Sequence, residues 1–187
     1  MSIREKYNIP VEDKVILYVG NISRNKNQVQ MVRAYGLLPE DLRKQTWVLF
    51  CGNNHSGSHE LEDLIASTPN SNHLVLCGGV DKAEMPFYYK EADGVALLSI
   101  AEGFGLSLIE GMHYGLPCVM FNDMDAFEDI FYKEAVVGVV ERSDDKVAVA
   151  LEELVTRPWN SNEIKSFSEK FDSQEMAKRY KEVYELL

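Results

Sequence analysis

The chain has 187 residues, 45 % of them hydrophobic, and a formal net charge of −11. That length supports one domain with a buried core, and the hydrophobic share is that of a soluble globular protein. The acidic balance argues against nucleic acid and against an anionic membrane surface as partners of this chain, because both demand a basic face.

The three cysteines, Cys51, Cys77 and Cys118, each lie in or beside an apolar run. None has metal-ligand spacing, which reads as free thiols in a reducing compartment. Met1 to Lys6 is polar, with no apolar signal core after it. No apolar run approaches the roughly 20 residues that a membrane span needs. The expected location is cytoplasmic.

In chain order, Ser2 to Tyr7 is a short charged segment of about one helical turn, closed by Pro10. Val15 to Val19 is an apolar strand ended by Gly20, and the loop Asn21 to Asn27 carries Arg24 and Lys26. A helix follows with Val29, Val32, Tyr35 and Gly36 on one face, stopped by Pro39. Trp47 to Cys51 is the second strand, ended by Gly52-Asn53-Asn54. Ser58 is the expected N-cap of a helix with Leu61, Leu64 and Ile65 on its stripe, and Pro69-Asn70 ends it. His73 to Cys77 is the third strand, Gly78-Gly79 a turn, and Glu84 to Ala92 a helix.

Asp93 to Ile100 reads as a fourth, buried strand. It leads into Ala101-Glu102-Gly103-Phe104-Gly105-Leu106-Ser107-Leu108-Ile109-Glu110, with a helix starting near Leu106. Cys118 to Phe121 is the fifth strand, Asn122 to Tyr132 a loop with a short helix, and Ala135 to Val140 the sixth strand. Asp144 or Asp145 caps a helix with Val147, Leu151, Leu154 and Val155 as its stripe. Two helical patterns, Ser161 to Phe171 and Ser173 to Leu187, complete the chain. Apolar strands alternating with helices predict an α/β domain. Its architecture is a Rossmann-like three-layer sandwich of six parallel strands with helices on both faces and right-handed crossovers.

The stretch around Gly103 carries the chemistry. Gly103 and Gly105 let a ligand approach the backbone, and the first amides of the following helix are unpaired at the positive end of its dipole. That is an anion site suited to phosphate, with Ser107 adding a hydroxyl. Glu102 and Glu110 flank it. A wholly helical interval of eight residues would span about 12 Å, roughly a diphosphate with a ring on either side. A carboxylate there suits sugar hydroxyls, which it accepts in pairs. Taken alone, such a pair is a solvated loop residue and a helix-surface charge.

Together with Gly115-Leu116-Pro117, these residues resemble the glutamate-x7-glutamate motif of the group-1 retaining glycosyltransferases. The resemblance covers the chain from the first strand to Tyr184. It implies the C-terminal half of a GT-B fold: a nucleotide-sugar (donor) binding domain over residues 1–187, with the family's N-terminal acceptor-binding domain not in this sequence. It implies transfer of a sugar, with retained anomeric configuration, from a UDP- or GDP-linked donor to an acceptor hydroxyl in glycan or polysaccharide synthesis, with no cofactor. Lys26 and Glu102 are the candidate catalytic residues. Gly20, Asn21, Arg24, Val80, Gly103, Phe104, Gly105, Leu106, Ser107 and Glu110 are the candidate substrate-binding residues.

Within that resemblance Lys26 stands where the family's diphosphate-binding lysine is, and Glu110 would hold ribose. Val80 lies in a base-side loop, and Gly52-Asn53-Asn54 matches another. Asn21 occupies the usual arginine position, with Arg24 as a replacement from another angle. The alternative to an enzyme is a nucleotide-sugar-binding or partner module that needs a separate acceptor-binding subunit. A dinucleotide oxidoreductase shares the sheet, but Leu108 occupies the place of the fingerprint's third glycine. Asp123-Met124-Asp125 is a short metal-type pair, outweighed by how often such a pair arises in an acidic chain. His55 and His59 are four apart, but Ser56-Gly57 between them disfavours a shared helix face.

Overall fold

The computed structural model describes residues 2–54 and 59–172. Six strands form one parallel sheet: β1 (Lys14–Val19), β2 (Thr46–Cys51), β3 (Leu74–Gly78), β4 (Gly94–Leu97), β5 (Cys118–Phe121) and β6 (Val136–Val139). Their spatial order is β3-β2-β1-β4-β5-β6. The strands are short, apolar and mostly buried because both sheet faces are covered, which is what a continuous run such as Trp47 to Cys51 requires.

Nine α-helices lie among the described residues: α1 (Ile3–Tyr7), α2 (Gln28–Gly36), α3 (Glu40–Arg43), α4 (Glu60–Ser67), α5 (Met85–Glu91), α6 (Leu106–His113), α7 (Phe127–Ile130), α8 (Asp144–Thr156) and α9 (Ser161–Ser168). α2 packs on α4 and α8, while α6 packs on α9 and α1 on α5. The chain runs outward from β1 to β3, then crosses back to β4 beside β1. Between β1 and β4 the order reverses, so the chain leaves their carboxyl ends toward opposite edges of the sheet.

Several boundaries differ from the sequence reading, each for a visible reason. The fourth strand pairs only over Gly94–Leu97, because the backbone beyond it is taken by other groups. Leu98 N donates to the Tyr18 hydroxyl at 2.9 Å, and Ile100 N donates to Asn25 O at 2.7 Å. His73 belongs to a 3-10 turn and stacks on Trp47 at 4.2 Å instead of opening β3. α2 ends at Gly36, and Pro39 caps α3, a short helix not expected from the sequence. The Ser161 to Phe171 pattern is α9 followed by a 3-10 turn. The expected Ser58 cap, the helix Ser173 to Leu187 and the His55 member of the histidine pair lie outside the described residues.

α8 is capped by Ser143 rather than by Asp144 or Asp145. The Ser143 hydroxyl accepts from Lys146 N at 3.3 Å, and the two aspartates sit in the first turn, where their charge faces the helix dipole. Ser143→Ala is expected to remove about 1 kcal/mol of stability. For a chain of this length that is about 2–4 °C in a thermal melt.

Candidate functional site

The site forms beyond the carboxyl ends of the neighbouring strands β1 and β4. Lys26 follows β1 and Glu102 follows β4, and the Lys26 ammonium lies 2.5 Å from Glu102 Oε2. Ser99, fully buried, adds its hydroxyl to the same oxygen at 3.3 Å. Sequence reasoning named Lys26 and Glu102 separately, and the fold makes them one unit.

Their loops are tied together underneath. Tyr18, buried in β1, donates its hydroxyl to Lys26 O and accepts from Leu98 N. Asn25 clamps the backbone of Ala101, donating to its carbonyl at 3.0 Å and accepting from its amide at 3.2 Å. Asn27 donates to Leu98 O at 3.1 Å. Burial pushes the Tyr18 phenol well above its usual pKa, so it remains a donor.

The glycine turn is placed as the spacing implies. Gly105 takes the left-handed conformation, φ +69°, immediately before α6 begins at Leu106. The interval from Glu102 to Glu110 is therefore part turn and part helix. At the amino end of α6 Leu108 N and Ile109 N donate to Gly105 O at 2.9 and 3.4 Å, and the amides of Leu106 and Ser107, as in any helix start, have no carbonyl one turn back to pair with. Ser107 is half-buried there, Leu106 is exposed, and the Phe104 ring meets Phe171 edge-on at 5.9 Å.

Glu110 faces a different neighbour. The Tyr89 hydroxyl donates to Glu110 Oε2 at 2.6 Å, and both line a groove of about 720 Å³ with Lys82, Met85 and Tyr114.

The loops after β2 and β3 meet the first loop edge to edge. Asn21 Oδ1 accepts from Asn53 N at 3.1 Å, and Asn53 O accepts from Ile22 N at 2.9 Å. Asn21, in the position expected to hold an arginine, joins these two loops. Gly20 N donates to Cys51 O at 2.9 Å, and Gly52 N donates to Gly78 O at 2.8 Å. Val80 follows, half-buried. Arg24 lies elsewhere: with Arg33, Ile22, Leu61 and Ile100 it lines a separate groove of about 450 Å³.

Arg142 was not anticipated from the sequence. It grips Asp123 with two hydrogen bonds of 2.8 Å, donates to Ser99 O and Ile100 O at 3.1 Å each, and lies 4.3 Å from the centre of the Phe121 ring. It thus braces the residues leading to Glu102. Nothing local marks this role, because its hydrogen-bond partners come from the segments that follow β4 and β5. Asp123, one half of the Asp-x-Asp, is engaged by this guanidinium.

The Arg142 pair holds the Asp123 carboxyl below its ordinary value of 3.8. A lowered folded-state pKa contributes stability above the unfolded value and loses it as pH falls through the folded one. Asp123 is half exposed, so the contribution is small, about 0.5 kcal/mol. Asp123→Asn is expected to melt about 1–2 °C below the native chain at pH 7, the two curves converging as the pH falls below the ordinary carboxyl value and through the lowered folded one.

An open parallel sheet with a polar site at its reversal point defines a doubly wound α/β protein of the Rossmann type. The family described as Glycosyl transferases group 1 matches residues 2–171, and the chain belongs to that family. The uncharacterized glycosyltransferase MJ1607 of Methanocaldococcus jannaschii is 24 % identical over 192 residues, covering 100 % of this chain and 48 % of that protein. A solved glycosyltransferase from Rickettsia africae ESF-5 superposes with a TM-score of 0.81 at 21 % identity, over 97 % of this chain and 50 % of that one. Anabaena Alr3699/HepE, solved in complex with UDP-glucose, gives 0.77 at 17 % identity over 99 % and 52 %. These neighbours are GT-B glycosyltransferases, and the chain spans about half of each of these three proteins. Among the described residues, no helix is long and apolar enough to cross a membrane.

Proposed function

We propose that the chain is the donor-binding domain of a retaining glycosyltransferase. It would move a sugar from a nucleoside-diphosphate sugar to an acceptor hydroxyl in glycan or polysaccharide synthesis. The observation that carries this reading is the Lys26–Glu102 pair at the reversal point of the sheet, beside the amino end of α6. Breaking a glycosyl–phosphate bond puts negative charge on the leaving diphosphate. Lys26 and the amides near Gly105 to Ser107 would stabilise that charge. An ammonium has three N–H donors, so Lys26 can keep Glu102 while binding a phosphate oxygen. Glu102 would accept donor-sugar hydroxyls and orient the ring, and Glu110 would accept the ribose hydroxyls. A further domain or subunit would supply the acceptor site, in keeping with relatives about twice this length.

HepE in complex with UDP-glucose supports a uridine diphosphate donor. The test is calorimetric titration of the protein with UDP, GDP and ADP, with and without magnesium, repeated on Glu110→Ala. Metal-free binding of one nucleotide, weakened in the variant, is the expected result. Unchanged affinity in the variant would remove Glu110 from the ribose, and binding only with magnesium would reopen an Asp125-based metal route.

A further inference from the structure

Glu110 is exposed, and an exposed glutamate samples several rotamers. A carboxylate that must accept two neighbouring hydroxyls performs best when one orientation is already held. Tyr89 supplies that hold. Its side chain is buried in α5 and stacked on Tyr114 at 5.4 Å and 11°, so packing sets its position independently of the carboxylate. From there its hydroxyl donates to Glu110 Oε2 at 2.6 Å. The other acceptor within reach, Ser107 O, is 3.5 Å away and makes the weaker contact. A carboxylate offers about four lone-pair sites. Tyr89 occupies one, on Oε2, and both residues line the same groove, so the remaining lone pairs can serve a ligand there.

We propose that Tyr89 is a positioning residue that fixes the Glu110 carboxylate for a pair of adjacent sugar hydroxyls, and so makes the site select a ribonucleotide over its 2′-deoxy counterpart. The inference rests on the reading of Glu110 as the ribose ligand. Burial and the adjoining carboxylate hold the Tyr89 phenol far above its ordinary pKa, so it stays a donor at physiological pH. The competing role is a plain staple between α5 and α6, which would affect every nucleotide alike.

Calorimetric titration of the 187-residue chain with UDP and 2′-deoxy-UDP separates the two roles, with GDP and 2′-deoxy-GDP run in parallel. The quantity read is the ratio of the two dissociation constants. The native protein should favour the ribonucleotide by at least about tenfold, the loss expected when a hydrogen bond to a charged group is removed. Tyr89→Phe should cut that ratio by about threefold or more while pyrophosphate affinity stays within about twofold, since pyrophosphate reports only the Lys26 loop and the α6 amides. Glu110→Gln should cut the ratio too, and the double variant no further than Glu110→Gln alone. An unchanged ratio in Tyr89→Phe, or an equal loss for UDP and 2′-deoxy-UDP, overturns the proposal while leaving the ribose contact standing. A full ratio in Glu110→Gln, or none in the native protein, overturns the ribose reading and this proposal with it.

Discussion

Lys26→Met should weaken nucleoside-diphosphate binding by about 10- to 100-fold, the equivalent of one charge-assisted hydrogen bond in a partly dry site. Methionine is the informative replacement. The lysine stem lies against Gly20, with Cε 3.3 Å from where a Cβ there would be, and methionine keeps that apolar contact while removing the charge. The same change leaves Glu102 without its cation in a place where its side chain is 18 % exposed. Among the described residues Ser99 then remains to it, so stability should fall by about 1–2 kcal/mol, roughly 2–8 °C in melting temperature. Lys26→Met with Glu102→Gln should regain most of that loss, because no unpaired carboxylate is left, yet should not regain affinity. Calorimetry and thermal melts on the two variants read both effects. Native affinity in Lys26→Met would exclude the lysine from the diphosphate.

Gly52→Ala is expected to be the most damaging single-methyl change in the described chain. A Cβ at Gly52 would lie 2.1 Å from Gly20 O, 2.4 Å from Gly20 C and 2.8 Å from Asn21 N, all of them backbone atoms. No side-chain rotation relieves such a clash, so either the first loop or the second must move. Moving either breaks the Asn21–Asn53 contacts and shifts the loop that carries Lys26. Overpacking of this severity costs about 3 kcal/mol, or roughly 6–12 °C. Gly103→Ala is the control. Nothing lies within 4 Å of a Cβ there, so its melting temperature should stay within about 2 °C of native. A Gly52→Ala protein that melts with the native one would contradict the edge-to-edge arrangement of the two loops.

Both predictions concern residues whose types were legible in the sequence and whose neighbours were not. The Glu102-to-Glu110 stretch announces a turn and a helix start, and Gly105 and Leu106 take those places because a left-handed residue must precede the helix at that point. Lys26 stands out as a cation in a loop after an apolar strand. Its partner lies 76 residues away, a separation that no local pattern spans. Tyr89 was visible only as one aromatic in an apolar helix, and its hydroxyl acquires a role because α5 lies beside α6. Arg142 resembled any surface arginine, yet it holds Asp123 and two backbone carbonyls ahead of Glu102.

The sequence by itself determined six apolar strands, the helices between them apart from α3, and hence a parallel sheet covered on both faces. Burial on two sides imposes a pattern that each strand carries locally. It also determined the glycine turn and the residue types able to hold an anion and sugar hydroxyls. The tertiary structure decided that β4 lies beside β1, through the crossover that returns the chain to the middle of the sheet. That adjacency brings Lys26 to Glu102 and Asn25 to Ala101, while β2 beside β1 brings Asn53 to Asn21. The physical reason is one of range. Periodicity reports which side of a strand or helix meets the core, whereas a contact between two loops depends on the order of whole strands, which packing settles for the sheet as a unit.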